Sequence, residues 1–251
     1  MSGLERYQEA VLRSYKGIFK TLEAEKLGEL LHTILIDNST PQKTQLFLSK
    51  RNNYILRKIF NGFVEIVTSY NNLKDTEVYI NRFPFRGTSI RKEHYLKYHI
   101  DNYLNEIYIL QNRLINYPKI ILRANKKASR YSKLEEAQIL LDKAVRLNFK
   151  GIVDLRGDHV HDDRFYDSYL SRIGAWGVFA DPADVNSMTE EEMKIIDYYK
   201  KMYDISFQEA KLVWKQRIKA NNQTIKKLLD SYFECVYTMV FDKSGSIIPN
   251  D

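Results

Sequence analysis

The stretch that most constrains the fold is 89–116. There Tyr95, Tyr98, His99, Asn102, Tyr103, Glu106, Ile107, Leu110 and Leu114 fall along one broad face at three- and four-residue spacing. Residues so spaced share one side of an α-helix. The same period runs through Tyr7, Val11, Tyr15, Ile18 and Leu22, and again through Ile55, Leu56, Ile59, Phe63 and Val67. All-β folds and open loops need frequent glycine and proline. Only 10 glycines and 5 prolines occur in 251 residues, so the pattern predicts an all-α, multi-helix bundle.

The helix boundaries follow from punctuation. Helices are expected over about 4–35 and 41–71, with Asp37-Asn38-Ser39-Thr40-Pro41 as stop and restart and Asn71-Asn72 as the second end. Residues 76–86, around Pro84, read as a short extended piece or a structured loop. Pro118 is expected to interrupt the helix that starts near Ser89. Ser132 and Glu135 have the spacing of a capping box. Thr189-Glu190-Glu191-Glu192 opens the last third, read as helices over about 190–204, 206–218 and 222–241 with a frayed tail from 243. The whole is expected to be a single all-helical domain over 1–251.

A formal charge of +7 attracts polyanions in general, though many basic proteins bind no nucleic acid. The 18 tyrosines at helical spacing suit core and seams better than base stacking. The single cysteine, Cys235, allows no disulfide within the chain and reads as a small core residue. Residues 1–10 carry no apolar signal-peptide run, and no apolar stretch reaches the length of a membrane span. A cytoplasmic protein without membrane contact is the expectation.

Chemistry concentrates at 153–166. Arg156, Asp158, His159, His161, Asp162, Asp163 and Arg164 crowd together beside the apolar Ile152-Val153. Ionisable groups packed next to an apolar run mark a site candidate. One reading is a metal site on His159, His161 and Asp162 or Asp163. In a helix, however, two residues at i and i+2 diverge by about 200°, and a metal is the weaker reading. The other is a metal-independent nuclease centre that needs no cofactor. Histidine titrates near neutral pH and can take a 2′-hydroxyl proton. Arginine presents a fork matched to phosphate oxygens. On one regular helix Arg156 and His161 do not point the same way, so an irregular turn or a second copy of the chain would have to bring them together. A basic stretch, with Arg123, Lys126, Lys127 and Arg130, reads equally as a solvated linker or as an RNA-binding strip. His99 reads as a packed histidine, bonded to Glu106 or to the helix that carries His161. Arg156-Gly157-Asp158 also spells an integrin-binding tripeptide, which is taken as coincidence.

Arg156-x4-His161, read as lying at the start of a helix in an all-helical chain, resembles the Arg-x4–6-His motif of the HEPN superfamily. The string 155–165 and the upstream helix 95–110 resemble an uncharacterised bacterial group within it. The resemblance covers about 93–173. It implies a compact helical core at about 41–180 that dimerises, with the helix 4–36 and the helices 189–242 packed on it. It also implies a metal-independent endoribonuclease of toxin–antitoxin or phage-defence type, which could have an antitoxin partner. Arg156 would hold phosphate and His161 would act as base or acid, supported by Asp158, His159, Arg164 and His99. Gly157 departs from the Asn, Asp or His that active members carry after the arginine. The alternative is a non-catalytic helical dimer that binds RNA, a nucleotide or a protein partner.

Overall fold

The computed structural model describes residues 1–19, 51–82, 90–161, 167–180 and 188–248, with backbone alone at 15, 17–19, 51–54 and 154–161. Among these residues the chain is all-α. The six helices among them are α1 (Gly3–Phe19), α2 (Arg51–Asn81), α3 (Lys92–Ala124), α4 (Tyr131–His161), α5 (Ser168–Ala180) and α6 (Glu190–Val240). None is long and apolar enough to cross a membrane. The expected end of the first helix near Leu35 and the Asp37–Pro41 restart lie outside the described residues.

The chain divides into two compact units. Unit 1 holds Met1–Thr68, Leu110–Asn148 and Ile225–Asp251; unit 2 holds Ser69–Ile109 and Phe149–Thr224. Each crossing between them falls inside a helix, in α2, α3, α4 and α6.

Unit 1 is built around tyrosine. The buried Tyr7 ring meets Phe63, Tyr117, Phe233 and Phe241 at centroid distances of 5.5, 6.3, 4.9 and 5.6 Å. A buried hydroxyl needs a partner, and here the bonds form a chain. Tyr7 Oη lies 2.7 Å from Tyr117 Oη, which donates to the Ile59 carbonyl at 2.8 Å. Gly62 makes room for this ring, because a Cβ there would fall 2.6 Å from Tyr117 Cδ2.

Pro118 does not end α3, contrary to the expectation. A proline inside a helix removes the bond to the carbonyl four residues back, at a cost of about 3 kcal/mol. That carbonyl belongs to Leu114, and the buried Tyr232 hydroxyl donates to it at 2.8 Å. The lost partner is replaced from α6, and α3 runs on to Ala124.

The tail of unit 1 is ordered to 248 rather than frayed from 243. Phe241 and Ile247 form an antiparallel bridge. Asp242 Oδ1 accepts from the backbone N–H groups of Ser244 and Ser246 at 2.8 and 3.0 Å. Gly245 takes φ +81°, which a side chain would resist.

Unit 2 corrects three further boundaries. Helix α2 passes through Asn71-Asn72 and the segment after 76 to reach Asn81. Asparagine costs a helix only a few tenths of a kcal/mol, while fully burying a leucine contributes about 1.5–3 kcal/mol. Both asparagines are exposed, whereas Leu73 is fully buried and Ile80 nearly so. The last third is one 51-residue helix rather than three. Thr189 caps it as expected: its Oγ1 accepts from Glu192 N at 3.3 Å, and Thr189 N donates to Glu192 Oε2 at 2.7 Å. The expected breaks at Ser206 and Asn222 are instead buried contacts. Asn222 Oδ1 accepts from Tyr103 Oη at 3.1 Å, and its Nδ2 donates to the Leu73 carbonyl at 3.2 Å.

Candidate functional site

The segment singled out for chemistry lies on α4. Its backbone is helical from Tyr131 through His161. Arg156, Asp158, His159 and His161 therefore occupy the last turns of this helix, not the start of one as the resemblance implied. No breaker forces a new helix after Gly151, which is exposed and has open space where a Cβ would stand. The side chains at these four positions, and the whole of Asp162, Asp163 and Arg164, lie outside the described residues. The geometry of the expected metal set and of the nuclease pair lies there too. Five steps along a regular helix separate the 156 and 161 positions by about 140° around its axis.

Beyond the motif, the entry to α5 is well defined. Asp167 caps this helix by accepting from Tyr169 N and Leu170 N at 3.0 and 3.1 Å on Oδ1. Its Oδ2 receives Arg217 Nη1 at 2.9 Å. The Arg217 guanidinium lies 5.1 Å above the Trp214 ring and 5.9 Å from that of Tyr169. A buried carboxylate is stable when it is both hydrogen-bonded and ion-paired, and Asp167 is both. This cap was not legible in the periodicity of apolar residues. An Asp immediately before a run of helix formers was the available signal.

His99 packs on α3 among tyrosine rings. Tyr95, Tyr79 and Tyr98 lie 4.4, 5.2 and 5.3 Å away, centroid to centroid. Half-burial there lowers its pKa below the usual histidine range. These rings form its described surroundings, where a bond to Glu106 or to the helix that carries His161 was expected. Also in unit 2, the Tyr203 hydroxyl donates to Glu93 Oε2 and Arg91 pairs with the same carboxylate. Burial, together with that carboxylate, raises the Tyr203 pKa. Cys235 is half-buried and burial raises its thiol pKa, in keeping with a packing role.

The four basic residues expected to form a strip separate into two groups. Arg130 turns inward to Asn125 and donates to its Oδ1 at 3.0 Å. Asn125 in turn donates from Nδ2 to the Ile121 carbonyl at 2.8 Å. With Ala128 N on Asn125 O and Tyr131 N on Ala128 O, these bonds form the α3–α4 turn. The turn hands the first helical bond of α4 to the Arg130 carbonyl, which accepts from Leu134 N. The cap therefore sits two residues ahead of the expected Ser132. Arg123, Lys126 and Lys127 instead border a cavity of about 580 Å³ with Ile55, Lys58, Ile120 and Ala124. Lys58 and the apolar floor are not legible in the sequence, since α2 and α3 are brought together only by tertiary packing.

No family model, curated protein or solved structure matches this chain.

Proposed function

We propose that the protein is a metal-independent endoribonuclease of HEPN type, acting as a dimer in a toxin or phage-defence setting. The observation that carries this reading is the pairing of Arg156 with His161 on the closing turns of α4, downstream of the patterned helix α3, in an all-helical chain. His161 takes the 2′-hydroxyl proton of RNA. The 2′-oxygen attacks the adjacent phosphorus, the 5′-oxygen leaves as it takes a proton from water, and a 2′,3′-cyclic phosphate remains; His161 then returns its proton to solvent. Arg156 holds the non-bridging oxygens as charge builds on them. The angular separation of the two positions favours an arginine and a histidine that converge across two protomers rather than within one.

The test is RNA cleavage by purified protein in EDTA. We expect products ending in 2′,3′-cyclic phosphate. Arg156→Ala and His161→Ala should each lower the rate by about 100-fold or more, the usual contribution of a group that holds developing charge and of a positioned proton acceptor. Two variants that cut as fast as the wild type would end this reading. A second reading, a non-catalytic helical protein that binds RNA, a nucleotide or a protein, is supported by the basic cavity of unit 1. It predicts no turnover in any variant, and a lower melting temperature or a split dimer in His161→Ala.

A further inference from the structure

The cavity at the α3–α4 turn has the volume of an ordinary small-molecule site, about 580 Å³ against a usual range of roughly 300–1,000 Å³. Its described lining has two parts. Ile55, Ile120 and Ala124 form an aliphatic floor, while Lys58, Arg123, Lys126 and Lys127 supply positive charge. The placement follows from helix geometry. Ile120, Arg123 and Ala124 lie within about one turn at the end of α3, Lys126 and Lys127 follow in the turn beyond it, and Ile55 and Lys58 are one turn apart on α2. No carboxylate appears in the described lining, and Arg123, Lys126 and Lys127 form no ion pair with a described carboxylate.

A cation near a helix C-terminus complements the helix dipole, and that accounts for Arg123 in the last turn of α3. It does not account for an aliphatic recess bordered by cations from α2, from α3 and from the turn beyond. We propose that this cavity binds a small organic phosphate. Its phosphoryl group is held by Arg123, Lys126 and Lys127, and its organic body rests on Ile55 and Ile120. A phosphate monoester carries a charge of about −1.5 to −2 at neutral pH and so balances several cations, which one carboxylate would not. Arginine matches its oxygens as a fork and lysine as a point charge. Surfaces that track single-stranded RNA combine a basic groove with aromatic stacking platforms. Here the described lining has no ring, and the charges border one recess rather than a track. Neither Arg156 nor His161 takes part, so failure of cleavage in EDTA leaves this site standing.

The experiment is calorimetric titration of the full chain at low salt with hexyl phosphate, adenosine monophosphate and inorganic phosphate. At least one organic phosphate should bind one-to-one and at least about tenfold more tightly than inorganic phosphate. Whichever of the two binds identifies the organic body as alkyl or nucleoside. Removing charge-assisted bonds with Lys126→Gln/Lys127→Gln should weaken that binding by about tenfold or more. Arg123→Gln should do the same. These side chains are exposed, so the melting curve should not move. Ile120→Ala should weaken the organic phosphate and leave inorganic phosphate unchanged. The proposal is overturned if neither organic phosphate saturates, if inorganic phosphate binds equally well, or if the charge variants bind like the wild type. It is also overturned if an RNA oligonucleotide alone loses affinity in those variants, for the surface would then be an RNA contact.

Discussion

Asn222 shows how one side chain can reverse the meaning of a residue type. In sequence, Asn222 reads as the start of a separate last helix. In the structure, Asn222 is buried and its amide is used at both ends, by Tyr103 and by the Leu73 carbonyl. Asn222→Ala should therefore cost about 1–3 kcal/mol in urea unfolding, the usual penalty for stranding buried polar partners. A change within error would mean that water replaces the amide. His99 offers a second test, through pH. Its pKa is lowered in the folded chain from the usual 6.5, because burial disfavours the imidazolium. As pH falls below that value the unfolded chain takes up a proton that the folded one resists. The stability associated with neutral His99 is thus present above the unfolded pKa and lost on acidification. In His99→Gln the fall in melting temperature from about pH 7.5 to about pH 5.5 should be smaller than in the wild type. An equal fall would remove His99 from the account.

At the scale of elements, helicity is legible in the sequence and helix ends are not. The period of apolar residues in α3 and the capping box at Thr189 are local signals, and both hold in the structure. The ends that failed at Asn71, Pro118, Ser206 and Asn222 depend on partners distant in sequence. The asparagines cost only tenths of a kcal/mol, which the burial of Leu73 outweighs, while the larger cost of Pro118 is offset in part by the Tyr232 bond to Leu114. The Pro118–Tyr232 pair makes this measurable. Tyr232→Phe should cost about 1–3 kcal/mol, since it strands the Leu114 carbonyl. Pro118→Ala restores an N–H to that carbonyl, so in its background Tyr232→Phe should cost clearly less. A double-mutant cycle in urea reads the difference. Strict additivity would show that the hydroxyl does not compensate for the proline.

At the scale of the molecule, the two candidate sites differ in how far sequence can reach them. The Arg156–His161 motif is a contiguous string and is visible at once. The cavity of unit 1 joins residues from α2 and α3, and only three of its cations stand out in the sequence. The division into two units is invisible there, since it is marked by no linker: every crossing falls inside α2, α3, α4 or α6. This has a consequence for unfolding. A unit that melted alone would have to end four helices in mid-run, leaving each with orphaned carbonyl and N–H groups and no cap. We therefore expect a single cooperative transition. Both tryptophans, Trp176 and Trp214, belong to unit 2, so their fluorescence reports that unit, while far-ultraviolet circular dichroism reports helix in both. In urea the two signals should share one midpoint and one slope. If fluorescence changes first while much of the helical signal persists, the units unfold separately, and helix continuity across their boundaries does not couple them.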